Sequence, residues 1–142
     1  MNIAIIGTGY VGLVTGTCFA ETGNQVICVD IDDDKVKRMK VGEVPIYEPG
    51  LEVLFERNRK QGRLKFTTNL KEAVDQAQII FLALPTPSGE DGAADLSYIL
   101  KVAKDLSFII EDYKVIVDKS TCLLYTSPSP RDATLSRMPS SA

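Results

Sequence analysis

Histidine is absent from this 142-residue sequence, and cysteine occurs three times, at Cys18, Cys28 and Cys122. None of the three has a paired spacing, and with no imidazole to share a metal the common zinc-type sites are excluded. Cys18 falls in an expected helix and Cys28 in an expected strand, so both read as buried, reduced core thiols. That usage fits a cytoplasmic protein. Long apolar runs are also lacking; none approaches the roughly 20 residues that a membrane helix needs. The chain opens directly on an apolar strand, which is expected to leave no room for a signal peptide. A net charge of −3 gives no polycationic surface and so no nucleic-acid partner. What remains is an ordinary globular composition, 44% hydrophobic and 25% charged, with length for one core.

Glycine, by contrast, is placed where it matters. The segment MNIAIIGTGYVG runs an apolar strand, Ile3–Ile6, into Gly7, Gly9 and Gly12. This is the G-x-G-x-x-G spacing of a strand-to-helix turn. Gly7 permits the tight turn, Gly9 lets a pyrophosphate approach the backbone, and Gly12 lets the next helix pack closely. The helix N-terminus then offers unpaired N–H groups to the phosphates. Three glycines alone would be an ordinary turn, but their context is specific. A helical stretch follows over 11–22, with Val11, Val14, Cys18 and Phe19 near helical spacing. A second strand, 25–29, ends at Asp30. An acidic residue roughly 20 positions beyond the glycines is the expected acceptor for the adenosine ribose hydroxyls. It also repels a 2′-phosphate, which favours NAD over NADP. The plainer alternative is an aspartate that only caps its own turn.

Further on, Asp32 is expected to cap a helix that Gly42 stops, with acidic residues first and basic residues last. Lys35, on that helix, is by position alone one more solvated lysine. Pro45 and Pro49 bar a continuous helix, and one opens at Pro49 or Gly50 and runs to about 61, burying Leu51, Leu54 and Phe55. A strand is expected over 64–67, a helix capped by Asn69 over 70–76, and an apolar strand over 78–84. The loop PTPSGEDGAAD follows at a sheet crevice of the kind where ligands of open α/β sheets lie. A helix over 98–110, capped by Asp95 or Ser97 and striped with Ile99, Val102, Ala103 and Leu106, leads to a strand over 113–118. Alternating strand and helix means an α/β fold with a doubly wound parallel sheet of the Rossmann type. Right-handed crossovers give the order 3-2-1-4-5, without a sixth strand.

Five separated motifs then carry a resemblance: IGTGYVGLVTG, VDID, PIYEPGL, PTPSGEDGAADLSYI and VDKST, spread over residues 1–121. Together they resemble the UDP-glucose/GDP-mannose dehydrogenase family. The tyrosine of PIYEPGL and the GEDGAADL loop resemble its UDP-glucose branch most, with the GDP-mannose and UDP-N-acetylmannosamine branches as alternatives. The resemblance implies an NAD-dependent enzyme that oxidises a UDP-sugar C6 alcohol to a carboxylate in two steps, as a homo-oligomer in full-length form. It implies cofactor contacts at Gly7, Gly9, Tyr10, Val11, Gly12, Asp30, Lys35, Thr86 and Thr121, with Thr121 near the nicotinamide. It places the family's catalytic residues beyond this chain, and the three cysteines match none of them. Residues 1–121 are thus expected to be an incomplete NAD-binding domain. Residues 122–142, rich in Ser, Thr and Pro, resemble no part of the family and read as a disordered tail, of artefactual origin rather than the alternative of a natural regulatory or partner-binding segment. Two other classes are a non-catalytic NAD-binding module and an unrelated Rossmann-type methyltransferase.

Overall fold

The computed structural model describes residues 1–87 and 95–119. Strands β1 (Asn2–Ile6), β2 (Gln25–Val29), β3 (Leu64–Thr67), β4 (Ile79–Leu82) and β5 (Val115–Asp118) alternate with helices α1 (Tyr10–Glu21), α2 (Asp33–Val41), α3 (Leu51–Lys60), α4 (Leu70–Gln76) and α5 (Ser97–Ile109). The sheet order is β3-β2-β1-β4-β5, as expected, and every pairing is parallel. β1 is central: Ile5 faces Cys28 on one side and Phe81 on the other.

Alternation along β1 divides the core. Ile3 and Ile5 join Leu13, Val36, Met39 and Phe55 beneath α1, α2 and α3. Ala4 and Ile6 join Ala73, Val74 and Leu106 beneath α4 and α5. A parallel strand covered on both faces must be apolar at every position, which is why IAII shows no alternation of polarity. Burying a side chain such as Phe55 contributes about 1.5–3 kcal/mol. Its ring stacks on Phe66, with centroids 5.2 Å apart.

The expected caps form. The Asp32 carboxylate accepts from the Lys35 amide at 3.0 Å, and the Asn69 side chain accepts from the Glu72 amide at 3.1 Å. Gly42 ends α2 in the left-handed region at φ 104°.

Several expectations need correction. The strand over 78–84 narrows to Ile79–Leu82, although the Gln78 and Ala83 amides still bond to Asn2 and Ile6. The strand over 113–118 begins at Val115. α5 starts one residue early, after Leu96, which supplies no side-chain cap; Asp95 instead accepts from the Ser97 amide at 2.9 Å. Of its stripe only Leu106 is buried, and Ala103 is exposed. On α3, Leu54 is only partly buried and Asn58 takes the inward place instead.

The largest correction concerns α1. Its buried face is Gly12, Leu13, Gly16, Thr17 and Ala20, not the line through Val14 and Cys18. A Cβ at Gly16 would lie 2.8 Å from the Cys28 sulfur, so the helix packs through its small residues. Cys18 is therefore exposed, not a core thiol, whereas Cys28 is buried as expected. Burial pushes the Cys28 thiol up to about 12.

Candidate functional site

β1 ends in the glycine turn. Gly7 adopts φ +99°, and its amide donates to the Val29 carbonyl at 2.8 Å. A Cβ on it would sit 2.5 Å from the Ala83 carbonyl oxygen, so both conformation and space demand glycine. Gly12 is pressed on the turn itself, where a Cβ would land on the Gly7 carbonyl. Gly9 differs: a Cβ there would meet nothing within 4 Å. The position is open because it borders a cleft.

That cleft has a volume of about 860 Å³ and lies at the carboxyl ends of β1, β2 and β4. Gly7, Gly9, Tyr10, Val11, Asp30 and Lys35 line it together. The α1 N-terminus opens onto it without a side-chain cap and without an acidic residue in its first turn. Its leading N–H groups have no intrahelical partner, and the helix dipole makes that end attractive to anions.

Across the turn, Asp30 is held tightly. Its Oδ2 accepts from the Thr8 amide at 3.2 Å, from the Thr8 hydroxyl, and from Lys35 Nζ at 3.0 Å. Its Oδ1 accepts from the Asp32 amide at 3.1 Å. Burial pushes the carboxyl up, but the hydrogen bonds from Thr8, Asp32 and Lys35, with the lysine charge, outweigh it; Asp30 stays ionised below the usual aspartate range. Asp30 thus does cap its own turn and borders the cleft as well. Lys35 is not the free surface lysine that its position suggested: only about a quarter of its side chain is exposed, and it is ion-paired.

Tyr10 lines the cleft and reaches away from it. Its hydroxyl meets the Tyr47 carbonyl and lies 2.7 Å from Glu48 Oε2. The hydrogen bond to the Glu48 carboxylate is the main cause of the raised Tyr10 ionisation. The contact ties two motifs separated by more than thirty residues, IGTGYVG and PIYEPGL.

Not every expected residue borders the cleft. Gly12 lies beneath the turn, in a packing role. Thr86 is half-buried next to Pro85, which lines the cleft while Thr86 does not. Thr121, the GEDGAA part of the glycine-rich loop and the tail lie outside the described residues. The sequence reading missed Thr8, Lys101 and Lys119, which also line the cleft. Thr8 occupies the middle of G-x-G, where the motif prescribes nothing. Among the described residues there is no cluster of acidic or thiol side chains fit for a metal, and no helix long and apolar enough to cross a membrane.

A glycine facing open space, an uncapped helix N-terminus and a fixed carboxylate fit a dinucleotide's diphosphate and ribose. Residues 1–136 match the family model for the NAD-binding domain of the UDP-glucose/GDP-mannose dehydrogenases. The chain belongs to this family. The match extends past Thr121, where the five recognised motifs stop. The domain is the family's NAD-binding domain, and NAD is its cofactor.

UDP-glucose 6-dehydrogenase TuaD of Bacillus subtilis is 52% identical over 120 residues, covering 84% of this chain and 26% of that protein. In three dimensions the chain is similar to a GDP-mannose dehydrogenase from Pseudomonas aeruginosa, with a TM-score of 0.83 and 40% identity over 87% of this chain and 29% of the other. A UDP-glucose dehydrogenase from Pyrobaculum islandicum gives 0.80 and 36%, over 84% and 28%. The chain spans about a quarter of the length of the curated relatives it matches.

Proposed function

We propose that this chain is the NAD-binding portion of a UDP-glucose 6-dehydrogenase. The observation that carries this reading is the single cleft joining Gly9, the α1 N-terminus and Asp30. Gly9 and the first amides of α1 receive the diphosphate. Asp30 accepts hydrogen bonds from the adenosine ribose, with Lys35 as its counter-ion, and the carboxylate disfavours a 2′-phosphate. Bound NAD supplies the hydride acceptor for oxidation of the sugar C6 alcohol to a carboxylate. Gly9, the α1 N-terminus and Asp30 bind and orient it. The chemistry on the sugar belongs to the part of the relatives that this chain does not span.

UDP-glucose is favoured over GDP-mannose because the UDP-glucose 6-dehydrogenase relative is 52% identical, against 40% for the GDP-mannose 6-dehydrogenase of Pseudomonas aeruginosa. The native protein that carries this chain, given NAD and UDP-glucose, is expected to form two NADH per sugar. Faster NADH formation from GDP-mannose, or none from either sugar, would overturn the proposal.

A further inference from the structure

Thr8 is wholly buried, with 0% exposure, although it sits between two cleft-lining glycines. Both its polar donors go to one atom. The amide, at 3.2 Å, and the hydroxyl meet Asp30 Oδ2, where Lys35 Nζ also docks at 3.0 Å. A carboxylate has about four acceptor sites, two on each oxygen. Three donors therefore saturate Oδ2, while among the described residues Oδ1 takes only the Asp32 amide at 3.1 Å and keeps capacity to accept another donor. A carboxylate free to rotate would expose either oxygen and would release the lysine.

We propose that Thr8 is a positioning residue for cofactor choice: by holding Asp30 Oδ2 it presents Oδ1 to the adenosine ribose, and it keeps the Lys35 ammonium as a counter-ion instead of leaving it free for a 2′-phosphate. This rests on the reading of Asp30 as the ribose acceptor. The threonine hydroxyl is the element that matters. Valine at this place keeps the shape and the amide but removes the second donor to a charged acceptor, so the carboxylate has to be fixed anew when NAD binds, a loss of preorganisation expected to weaken affinity about tenfold.

The test is isothermal titration of the 142-residue chain with NAD and with NADP. Wild type binds NAD more tightly, and Asp30→Ala narrows the preference by weakening NAD and uncovering Lys35. Thr8→Val weakens NAD about tenfold with a smaller effect on NADP, and Thr8→Ser restores the wild-type ratio. Because Thr8 acts through Asp30, adding Thr8→Val to Asp30→Ala changes NAD affinity no further. A Thr8→Val ratio within twofold of wild type, beside a shifted Asp30→Ala ratio, overturns the role of Thr8 and leaves that of Asp30 standing. An unchanged Asp30→Ala ratio overturns the ribose reading itself. So does a wild-type chain that binds NADP as well as NAD. Should circular dichroism show Thr8→Val unfolded, Thr8→Ala takes its place under the same criteria.

Discussion

Gly9 and Gly12 are three positions apart in one turn, yet their missing side chains serve different ends. At Gly12 the Cβ would strike the Gly7 carbonyl, a backbone atom that cannot swing aside. At Gly9 it would point into the cleft and touch nothing in the protein. Alanine at the two positions therefore separates folding from binding. Gly12→Ala is expected to lose about 1–3 kcal/mol of stability, the usual range for overpacking. Gly9→Ala is expected to keep its melting behaviour within about 0.5 kcal/mol of wild type. Its NAD affinity should nevertheless fall at least about tenfold, because the added methyl occupies the diphosphate's approach. Thermal denaturation paired with NAD titration checks both, and a Gly9→Ala chain with unchanged NAD affinity would place the diphosphate elsewhere. The spacing of the three glycines and the distant Asp30 were legible because each answers a backbone demand that few residues meet. Thr8 was not, since its hydroxyl matters only once the turn and the end of β2 are side by side.

Helix starts and stops were read well, helix faces less so. Asp32 and Asn69 each cap within three residues of sequence, so local chemistry is enough to find them. The inward face of α1 depends instead on what lies across from it. Its apolar residues are spread around the helix, and the sheet selects the side where Gly12 and Gly16 allow close approach. Asn58 is the corresponding surprise on α3. It is fully buried, donates to Glu21 Oε2 at 2.6 Å and to the Leu54 carbonyl at 2.8 Å, and accepts from Arg63 Nε at 3.0 Å. Glu21 also receives Arg57 at 2.5 Å, so Asn58 joins the end of α1 to α3 and to the residue before β3. No apolar period reveals such a residue; its partners are 37 and 5 positions away. Asn58→Ala is expected to destabilise the chain by roughly 1–3 kcal/mol, because the buried groups around it lose their partner. NAD affinity should stay near wild type, since Asn58 does not line the cleft. Urea denaturation measures the first effect, and a loss below about 0.5 kcal/mol would mean that water replaces the amide without cost.

Across the whole molecule, the sheet order follows from the sequence because right-handed crossovers leave few other choices. The order also decides which strands carry a surface. Among the described residues β5 lies at one edge, and its Val115 and Ile116 are 41% and 49% exposed. Close by in sequence, Phe108 and Tyr113 are 77% and 91% exposed. The opposite edge, β3, has Lys65 exposed between the buried Leu64 and Phe66. A charged side chain on an edge strand discourages pairing with another sheet, and an apolar one invites it. β5 has Asp118 only at its end, so its middle is the weaker guard. The 142-residue chain is therefore expected to self-associate through this side as its concentration rises. Ile116→Lys should shift sedimentation toward the monomer with little effect on NAD binding, because Ile116 does not line the cleft, which this strand meets at Lys119, just past its end. A wild-type chain that sediments as a monomer at high concentration would show that the exposed β5 residues do not act as an edge in solution. Association unchanged by Ile116→Lys would instead move the contact to another surface. Either result leaves the reading of Gly9 and Asp30 standing, since both follow inner strands of the sheet while the association is assigned to the exposed residues of its rim.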